Sequence, residues 1–282
     1  MFIKSPLNYT GGKFKILKPV FQVFPKDIRT FVDVFAGGFN VGINVEAEKI
    51  VCNDQITYLI ELFQMFQKTD IDVLLKRIKR VIGTYGLTQQ NQEGYYALRD
   101  DYNRSKDLTK LFVLTCYAFN HQIRFNNSHE FNSPFGRNRS SFNLNIKKNL
   151  TEFSQALQEK EIAFSNLDFT KLDYAALDSR DLVYCDPPYL ISTGNYNDGN
   201  RGFKDWKEKE ERTLLELLDQ LDSKGIRFAL SNVLYHKGLS NDLLIEWSRK
   251  YQIHYIDKTY SNCNYQFKDR NAVTVEVLIT NY

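Results

Sequence analysis

The chain has 282 residues, of which 43% are hydrophobic and 25% charged, a composition typical of a globular protein with one large domain and a smaller one. No apolar stretch is long enough to span a membrane and no signal peptide is visible, so we predict a cytoplasmic protein without a membrane partner. The net charge is only +3, so the overall charge does not by itself indicate a nucleic-acid partner. The four cysteines and four histidines show no metal-ligand spacing, so we predict reduced structural thiols and no metal.

Residues 8–13, Asn-Tyr-Thr-Gly-Gly-Lys, form the first motif. Two glycines let a backbone approach a ligand closely, and Lys13 adds a positive charge at that point. Taken alone, the motif is equally compatible with an ordinary turn.

Residues 30–42 predict a strand, a glycine turn and the start of a helix. The strand is expected over residues 31–35, the turn at Gly37 and Gly38, and the helix from residues 41–48. This arrangement cradles nucleotides in doubly wound folds. The full GxGxxG spacing is missing, which favours a cofactor that has no pyrophosphate.

Residues 49–54 predict a second strand that ends in Asp54. A carboxylate at this distance from the glycine turn can accept hydrogen bonds from two ribose hydroxyls. Asp54 also suits the N-cap of a helix that begins near Ile56, and both roles are compatible.

From residue 57 onward, apolar residues recur at helical spacing and predict helices over 58–66, 71–82, 94–102 and 111–120. A polar, hairpin-like stretch follows at 127–141. Six basic residues and one acidic residue lie between positions 110 and 148, interleaved with Phe, Tyr, Asn and Ser: Lys110, Arg124, Arg137, Arg139, Lys147 and Lys148 against Glu130. This composition is typical of a nucleic-acid-binding surface, and a solvated basic face is the alternative.

Residues 182–189, Leu-Val-Tyr-Cys-Asp-Pro-Pro-Tyr, contain the motif with the most specific chemistry. The apolar run predicts a buried strand that Pro187 must end, so Asp186 lies at a strand's carboxyl end, where open α/β sheets bind ligands. Asp186 and the Pro187 carbonyl can accept the two N–H groups of a planar amino group while Tyr189 stacks on its ring. The alternative is a strand followed by an ordinary proline turn.

The remaining pattern predicts strands over 161–166, 226–232, 253–256 and 272–282, with an amphipathic helix over 207–221. A glycine-rich loop at 190–204 is expected to close over a ligand, and residues 262–270 form a polar segment.

Three of these features resemble the motifs of one enzyme family. Asp-Pro-Pro-Tyr resembles motif IV of S-adenosylmethionine-dependent amino-methyltransferases. The glycine turn resembles motif I, with Phe39 at a position where the family has Gly, and residues 8–13 resemble motif X of the Dam type. The order X, I, recognition block, IV is that of the α group. The chain therefore resembles Dam-type (D12 class, α group) site-specific DNA N6-adenine methyltransferases over almost its whole length.

The resemblance implies an α/β fold, a Rossmann-like S-adenosylmethionine-dependent methyltransferase sheet with an inserted, mostly helical DNA target-recognition domain. Residues 1–56 and 146–282 would form the catalytic domain and residues 57–145 the recognition domain. The implied cofactor is S-adenosyl-L-methionine and the implied partner is double-stranded DNA. A cognate restriction endonuclease is a candidate partner, and we expect a monomer.

The resemblance also implies site residues. Asp186, Pro187 and Tyr189 would be catalytic. The cofactor would be bound by Tyr9, Gly12, Lys13, Asp33, Phe35, Gly37, Asp54, Asp168, Phe169 and Asp186, with Asp168 and Phe169 holding its adenine. DNA would be bound by Asn8, Phe119, Asn120, Gln122, Arg124, Asn126, Pro134, Arg137 and Arg139.

Among the DNA-binding candidates, Phe119 and Asn120 would lie beside the vacated base pair, and Arg137 would contact a phosphate. Arg124 is expected to bind guanine, since an arginine bound to guanine O6 and N7 is the commonest specific contact. The alternative is that Arg124 braces the hairpin. Asn8 stands where readers of GATC usually carry Lys, so the resemblance implies either GATC or a related site.

Two other functions stay open. N4-cytosine methylation uses the same amino chemistry, although that family favours Ser in place of Asp186. A catalytically silent DNA-binding protein is opposed by the intact Asp186, Tyr189 and motif I.

Overall fold

The computed structural model describes residues 2–9, 11–191, 206–256 and 274–282. The polar segment at 262–270, and the glycine-rich loop from residue 192 onward, lie outside these ranges. Within them, no helix is long and apolar enough to cross a membrane.

The described strands form a single mixed sheet at the centre of the molecule. Its strands are β1 (Thr30–Asp33), β2 (Lys49–Asn53), β3 (Ile162–Ser165), β4 (Leu182–Cys185), β5 (Arg227–His236), β6 (Leu239–Ser240), β7 (Gln252–Tyr255) and β8 (Thr274–Thr280). The spatial order is β3-β2-β1-β4-β5-β8-β7, and β6 pairs with β5. The first five strands in this order, β3, β2, β1, β4 and β5, are parallel to one another. Strand β8 is antiparallel to both of its neighbours, β5 and β7.

The strand order reverses at β1. The chain continues from β1 to β2 on one side, and β4 lies on the other side with Asp33 in register with Tyr184. The carboxyl ends of β1 and β4 therefore flank a crevice, which is the place where doubly wound sheets bind ligands.

The described α-helices cover both faces of the sheet. They are α1 (Leu17–Val23), α2 (Thr57–Lys68), α3 (Ile71–Thr84), α4 (Gln92–Ser105), α5 (Leu108–Tyr117), α6 (Leu144–Glu159), α7 (Glu208–Ser223) and α8 (Asp242–Ser248). Helices α7 and α8 bury Leu214 and Leu244 against one face. Helices α2 to α6 share a continuous core with the other face, which includes Phe31, Phe66 and Phe112.

The helical block between β2 and β3 agrees with the predicted insertion. Helix α2 contacts α5, α6 and β3, so it joins the block to the sheet. The proposed boundary at residue 57 coincides with the start of α2, whereas residue 146 falls inside α6, a helix that the sequence analysis did not predict.

Two predicted helices were wrong in extent. Residues 41–48 form only a 3₁₀ turn, Gly42–Asn44, and Val45 is already extended. Val41, Ile43 and Val45 are all buried, and β-branched residues lose rotamer freedom in a helix. The helix expected over 111–120 ends at Tyr117, because Ala118 is extended and pairs with Phe135.

Candidate functional site

One pocket at the carboxyl ends of β1, β2 and β4 contains every predicted catalytic and cofactor-binding residue. Its lining includes Tyr9, Gly12, Lys13, Asp33, Phe35, Gly37, Asp54, Asp168, Phe169, Asp186, Pro187 and Tyr189. The structure therefore brings together residues from three motifs that lie far apart in the chain. The predicted DNA-binding residues do not line this pocket.

Asp186 lies directly after β4, where the two prolines end the strand. Its Oδ1 atom is 2.9 Å from Lys13 Nζ and accepts a hydrogen bond of 2.9 Å from the Tyr189 hydroxyl. Burial raises the pKa of Asp186 above its usual range, and the positive charge of Lys13 opposes that shift. Asp186 is thus a largely buried carboxylate held by two donors.

Lys13 begins a short 3₁₀ helix, Lys13–Ile16, and its side chain is only 6% exposed. Its Nζ atom also lies 3.5 Å from Glu276 Oε1 on β8. Burial lowers the pKa of Lys13, but Asp186 and Glu276 outweigh that effect and the net pKa is raised. The buried amine therefore stays protonated.

Glu276 is a site residue that the sequence analysis missed. The Tyr189 hydroxyl lies 3.3 Å from Glu276 Oε1, in addition to its contact with Asp186. Apolar and polar residues alternate along β8, and Glu276 occupies one of the polar positions. No motif distinguishes it from an ordinary surface residue of a strand.

The glycine turn after β1 is held by Asp54. The backbone N–H of Gly37 donates to Asp54 Oδ2 at 2.7 Å, and the N–H of Ile56 donates to Oδ1 at 2.9 Å. Gly37 has φ of +49°, and a Cβ there would lie 2.9 Å from ring atoms of Tyr9. The turn therefore requires glycine for conformation and for space.

Phe39 stands at a position where the family has glycine. Its backbone nevertheless adopts the left-handed conformation that glycine adopts most easily. Its φ is +56°, a left-handed conformation that costs a bulky residue about 1–3 kcal/mol. The Phe39 ring is fully buried, with its centroid 5.8 Å from that of Phe63 and 6.4 Å from that of Phe153. Core packing against α2 and α6 offsets the strain.

Asp33, at the end of β1, offers a buried polar atom to the pocket. Its Oδ2 accepts a hydrogen bond of 3.1 Å from the Gly42 N–H, whereas its Oδ1 has no hydrogen-bond partner among the described residues. Burial raises the pKa of Asp33 well above its usual range, and the charge of Asp186 adds to the shift. A buried acceptor of this kind is costly unless a ligand satisfies it.

Three aromatic rings form the other end of the pocket. The centroids of Phe35, Phe169 and Trp206 lie 5.5 to 5.8 Å from one another. Trp206 donates through Nε1 to the fully buried carboxylate of Glu211 at 2.6 Å. The sequence analysis did not predict Trp206, because a tryptophan before an amphipathic helix carries no local motif.

Asp168 lies beside this aromatic cluster. Its Oδ1 accepts from the Thr170 N–H at 3.0 Å, and Gln55 Nε2 donates to its Oδ2 at 3.2 Å. These two contacts hold the carboxylate of Asp168, which lines the same pocket as Phe169.

Apart from Asn8, the predicted DNA-binding residues lie between residues 119 and 139, in a hairpin that follows α5. Isolated bridges join Ala118 to Phe135 and Phe125 to Phe131. Most of these candidates are exposed, namely Phe119, Asn120, Gln122, Arg124, Pro134, Arg137 and Arg139, whereas Asn126 is half-buried. Most of their side chains are therefore accessible to a large partner.

Several of these side chains also make contacts within the hairpin. Arg124 donates from Nε to the side-chain oxygen of Asn132 and from Nη2 to its carbonyl, both at 2.9 Å. Asn126 Oδ1 accepts from two backbone N–H groups of the turn. The guanidinium of Arg139 lies 4.8 Å from the centroid of the Phe119 ring.

Asn8 connects the N-terminal motif to this hairpin. Its side-chain amide donates to the Asn120 carbonyl at 2.7 Å. Residues 8 and 9 therefore lie between the hairpin surface and the pocket, since Tyr9 lines the pocket itself.

The sheet and the pocket at its switch point define a Rossmann-like fold with a crevice suited to a nucleotide-like ligand. The sequence model of the D12 class N6 adenine-specific DNA methyltransferases matches residues 9–262. Since this match covers most of the chain, the protein belongs to that family, and its fold is the Rossmann-like methyltransferase fold.

Three relatives match the chain over nearly its whole length. It is 53% identical over 281 residues to the type II methyltransferase M.FokI of Planomicrobium okeanokoites and 47% identical over 283 residues to the modification methylase StsI of Streptococcus sanguinis. It is 36% identical over 281 residues to the modification methylase LlaI of Lactococcus lactis subsp. lactis. The matches cover 100%, 100% and 99% of this chain but only 43% of each relative.

Proposed function

We propose that this chain transfers a methyl group from S-adenosylmethionine to the exocyclic N6 of adenine at a specific site in double-stranded DNA. The observation that carries the proposal is the place of Asp186, which lies at the end of β4 in the same pocket as the glycine turn and the aromatic cluster. The longer relatives are methylases by name, which supports the same activity for the part that this chain covers.

The residues of the pocket fit S-adenosylmethionine. The aromatic cluster of Phe35, Phe169 and Trp206 suits an adenine ring, with Asp168 beside it to accept from the amino group. Asp54 suits the ribose hydroxyls. The buried Oδ1 of Asp33 has no partner among the described residues and suits a donor such as the cofactor's ammonium group. When bound, the cofactor supplies an electrophilic methyl group on a sulfonium.

Asp186 and the Pro187 carbonyl are proposed to accept the two N–H groups of the target adenine. The lone pair of N6 is delocalised into the ring, and two such acceptors draw the nitrogen toward a tetrahedral geometry that frees it. Methyl transfer from the bound cofactor would join the methyl carbon to N6, release S-adenosylhomocysteine, and be completed by the loss of one proton from N6 to solvent. Asp186 faces the positive charge that develops on N6, so its contribution is positioning and electrostatic stabilisation.

The target base must leave the helix, because N6 is hidden inside duplex DNA. We propose that the exposed hairpin after α5 binds the DNA duplex. Phe119 and Asn120 would lie beside the vacated base pair. Gln122, Arg124 and Pro134 would contact base edges, and Arg137 would contact a phosphate. Asn8 would contribute from the pocket side, consistent with its hydrogen bond to the Asn120 carbonyl.

The relatives named as type II methyltransferase and modification methylases support a role in a restriction–modification system. A cognate restriction endonuclease that cuts the same unmethylated site is the partner of this role. We keep a site related to GATC as the target to test first.

The direct test incubates the purified chain with duplex DNA and S-adenosylmethionine that carries a labelled methyl group. After digestion to nucleosides, mass spectrometry is expected to find the label in N6-methyladenine. The matched control is Asp186→Asn, which keeps the size of the side chain and removes its charge. Label in N4-methylcytosine would show that the substrate is cytosine instead of adenine. Absence of transfer would support a DNA-binding protein without catalysis.

A further inference from the structure

Glu276 closes a ring of contacts around the proposed catalytic carboxylate. Lys13 Nζ lies 2.9 Å from Asp186 Oδ1 and 3.5 Å from Glu276 Oε1. The Tyr189 hydroxyl lies 2.9 Å from the same Asp186 oxygen and 3.3 Å from the same Glu276 oxygen. One ammonium and one phenol therefore each bridge the same two carboxylates.

The charges of this ring do not cancel. Lys13, Asp186 and Glu276 are 6%, 17% and 28% exposed in their side chains, so solvent screens them weakly and neighbouring charges act strongly. Lys13 and Asp186 alone would form a neutral pair. Glu276 adds a second negative charge, so that the cluster as a whole keeps one negative charge next to the pocket.

The position of Glu276 is set by the sheet. Glu276 is in register with Val233 of β5, and both of its neighbours on β8, Val275 and Val277, are buried. The strand therefore fixes the backbone from which the carboxylate reaches Lys13.

We propose that Glu276 is a positioning residue that offsets the charge of Lys13, so that Lys13 does not cancel the negative charge that ionised Asp186 presents to the amino group being methylated. The inference rests on the proposed function, because it assigns a purpose to charge at the Asp186 carboxylate. A positive charge develops on N6 during transfer, and an Asp186 already neutralised by Lys13 would stabilise it less.

The effect on proton binding provides a signature. Burial is the largest cause that raises the pKa of Asp186, Lys13 lowers it, and Glu276 raises it. Loss of the Glu276 charge must therefore lower the pKa of Asp186. Asp33, Tyr184, Cys185 and Tyr189 also couple to the charge of Asp186. The test keeps all four side chains, and loss of the Glu276 charge also removes one cause that raises the pKa of Tyr184 and of Tyr189.

The test compares Glu276→Gln with wild type in single-turnover methylation across pH. We expect the plateau rate to fall by about tenfold or more while the acid limb moves to lower pH. Affinities for DNA and for S-adenosylhomocysteine are expected to change by less than about threefold. A plateau rate within about twofold of wild type, or an acid limb at the wild-type pH, would overturn the proposal.

Two further variants separate electrostatics from structure. Glu161→Gln makes the same chemical change at an exposed position just before β3, and its rate is expected to equal that of wild type. In the double variant Lys13→Met/Glu276→Gln, the fold-loss in single-turnover rate should be smaller than the product of the two single fold-losses. Once Lys13 is replaced, there is no ammonium for Glu276 to offset, so its removal should cost less. Multiplicative losses would show that Glu276 acts independently of Lys13.

A measurement without turnover keeps this inference separate from the proposed function. Carbon-13 NMR of the Asp186 carboxyl is expected to show a lower pKa in Glu276→Gln than in wild type, whether or not methyl transfer occurs. An unchanged titration would overturn the inference alone, whereas a wild-type chain without transfer would overturn the proposed function. Should Glu276→Gln not fold, Glu276→Asp carries the test and is expected to retain both the wild-type acid limb and most of the rate.

Discussion

The ammonium of Lys13 lies 2.9 Å from the carboxylate of Asp186, and this ion pair joins the N-terminal Gly-Gly-Lys segment to the end of β4. The resemblance implied Lys13 only as a ligand of the cofactor. The structure places its amine on the carboxylate that we propose to accept the adenine amino group. The two motifs therefore form one electrostatic unit.

The first prediction concerns the carboxylate of this unit. Asp186→Asn is expected to reduce the single-turnover rate by about 10²-fold or more, in line with the loss of one preorganised electrostatic partner. DNA binding and the melting temperature should change little, because Asn keeps the shape of the side chain. A rate within tenfold of wild type, a loss below about 1.4 kcal/mol, would contradict the proposed role.

The second prediction is a pH dependence. Burial raises the pKa of Asp186 and Lys13 holds it down, and the reaction requires the ionised form. The rate should therefore be constant at high pH and fall as pH drops through a pKa above about 3.9, the ordinary value for Asp. In Lys13→Met the restraining charge is lost, so the acid limb must move to higher pH. A shift in the opposite direction would show that another group controls the limb.

Much of the fold followed from local pattern. Strands β1, β2 and β4 are short apolar runs, in which Asp33 ends β1 while Asp54 and Asp186 directly follow β2 and β4. Polar residues at strand ends indicate the edge of the sheet that binds ligands. The helix expected over 41–48 was wrong because long-range contacts decide that segment. The side chain of Asn44 donates to the carbonyl of Ile3 at 2.7 Å, a contact that no local pattern reveals.

The sequence indicated the site residues that belong to local motifs, but not those that long-range packing brings to the site. Asp54, Asp168 and Asp186 belong to recognisable segments and share one pocket. Trp206 lines that pocket from just before α7, and Glu276 on β8 contacts two of its residues, Lys13 and Tyr189. Their role depends on distances between elements that only the folded chain brings together.

The third prediction uses Trp206 as a reporter. The chain has two tryptophans, and Trp247 packs against Phe228 and does not line the pocket. In Trp247→Phe, the remaining fluorescence comes from Trp206, and we expect S-adenosylhomocysteine to change it in a saturable way. Trp206→Phe is the matched control and should show no such signal. An unaffected Trp206 signal would place the cofactor's adenine elsewhere.

The fourth prediction concerns the glycine turn. A Cβ at Gly37 would lie 2.9 Å from the Tyr9 ring, and φ there is +49°, so Gly37→Ala must move Tyr9 or the turn. We expect at least about tenfold weaker binding of S-adenosylhomocysteine by calorimetry, about 1.4 kcal/mol. Gly83→Ala is the control, because nothing lies within 4 Å of its Cβ and Ala is favoured in a helix by up to about 1 kcal/mol. Equal affinity in both variants would show that the turn does not touch the cofactor.

The last prediction concerns the choice of target by Arg124. Its Nε and Nη2 atoms are bonded to Asn132, which uses two of the five N–H groups and orients the guanidinium, so bracing and guanine recognition are compatible. Loss of one bidentate pair costs about 1–3 kcal/mol of discrimination, so Arg124→Ala should relax one position of the site when methylated adenines are sequenced on random DNA. Arg137→Ala, which we assign to a phosphate, should weaken methylation at all sites alike. Asn132→Ala should relax the same position as Arg124→Ala, but less, because it removes only the bond to the Asn132 side chain and leaves the bond to its carbonyl. If Arg124→Ala lowers methylation uniformly and leaves the sequence preference unchanged, Arg124 is a brace and the guanine is read by another residue.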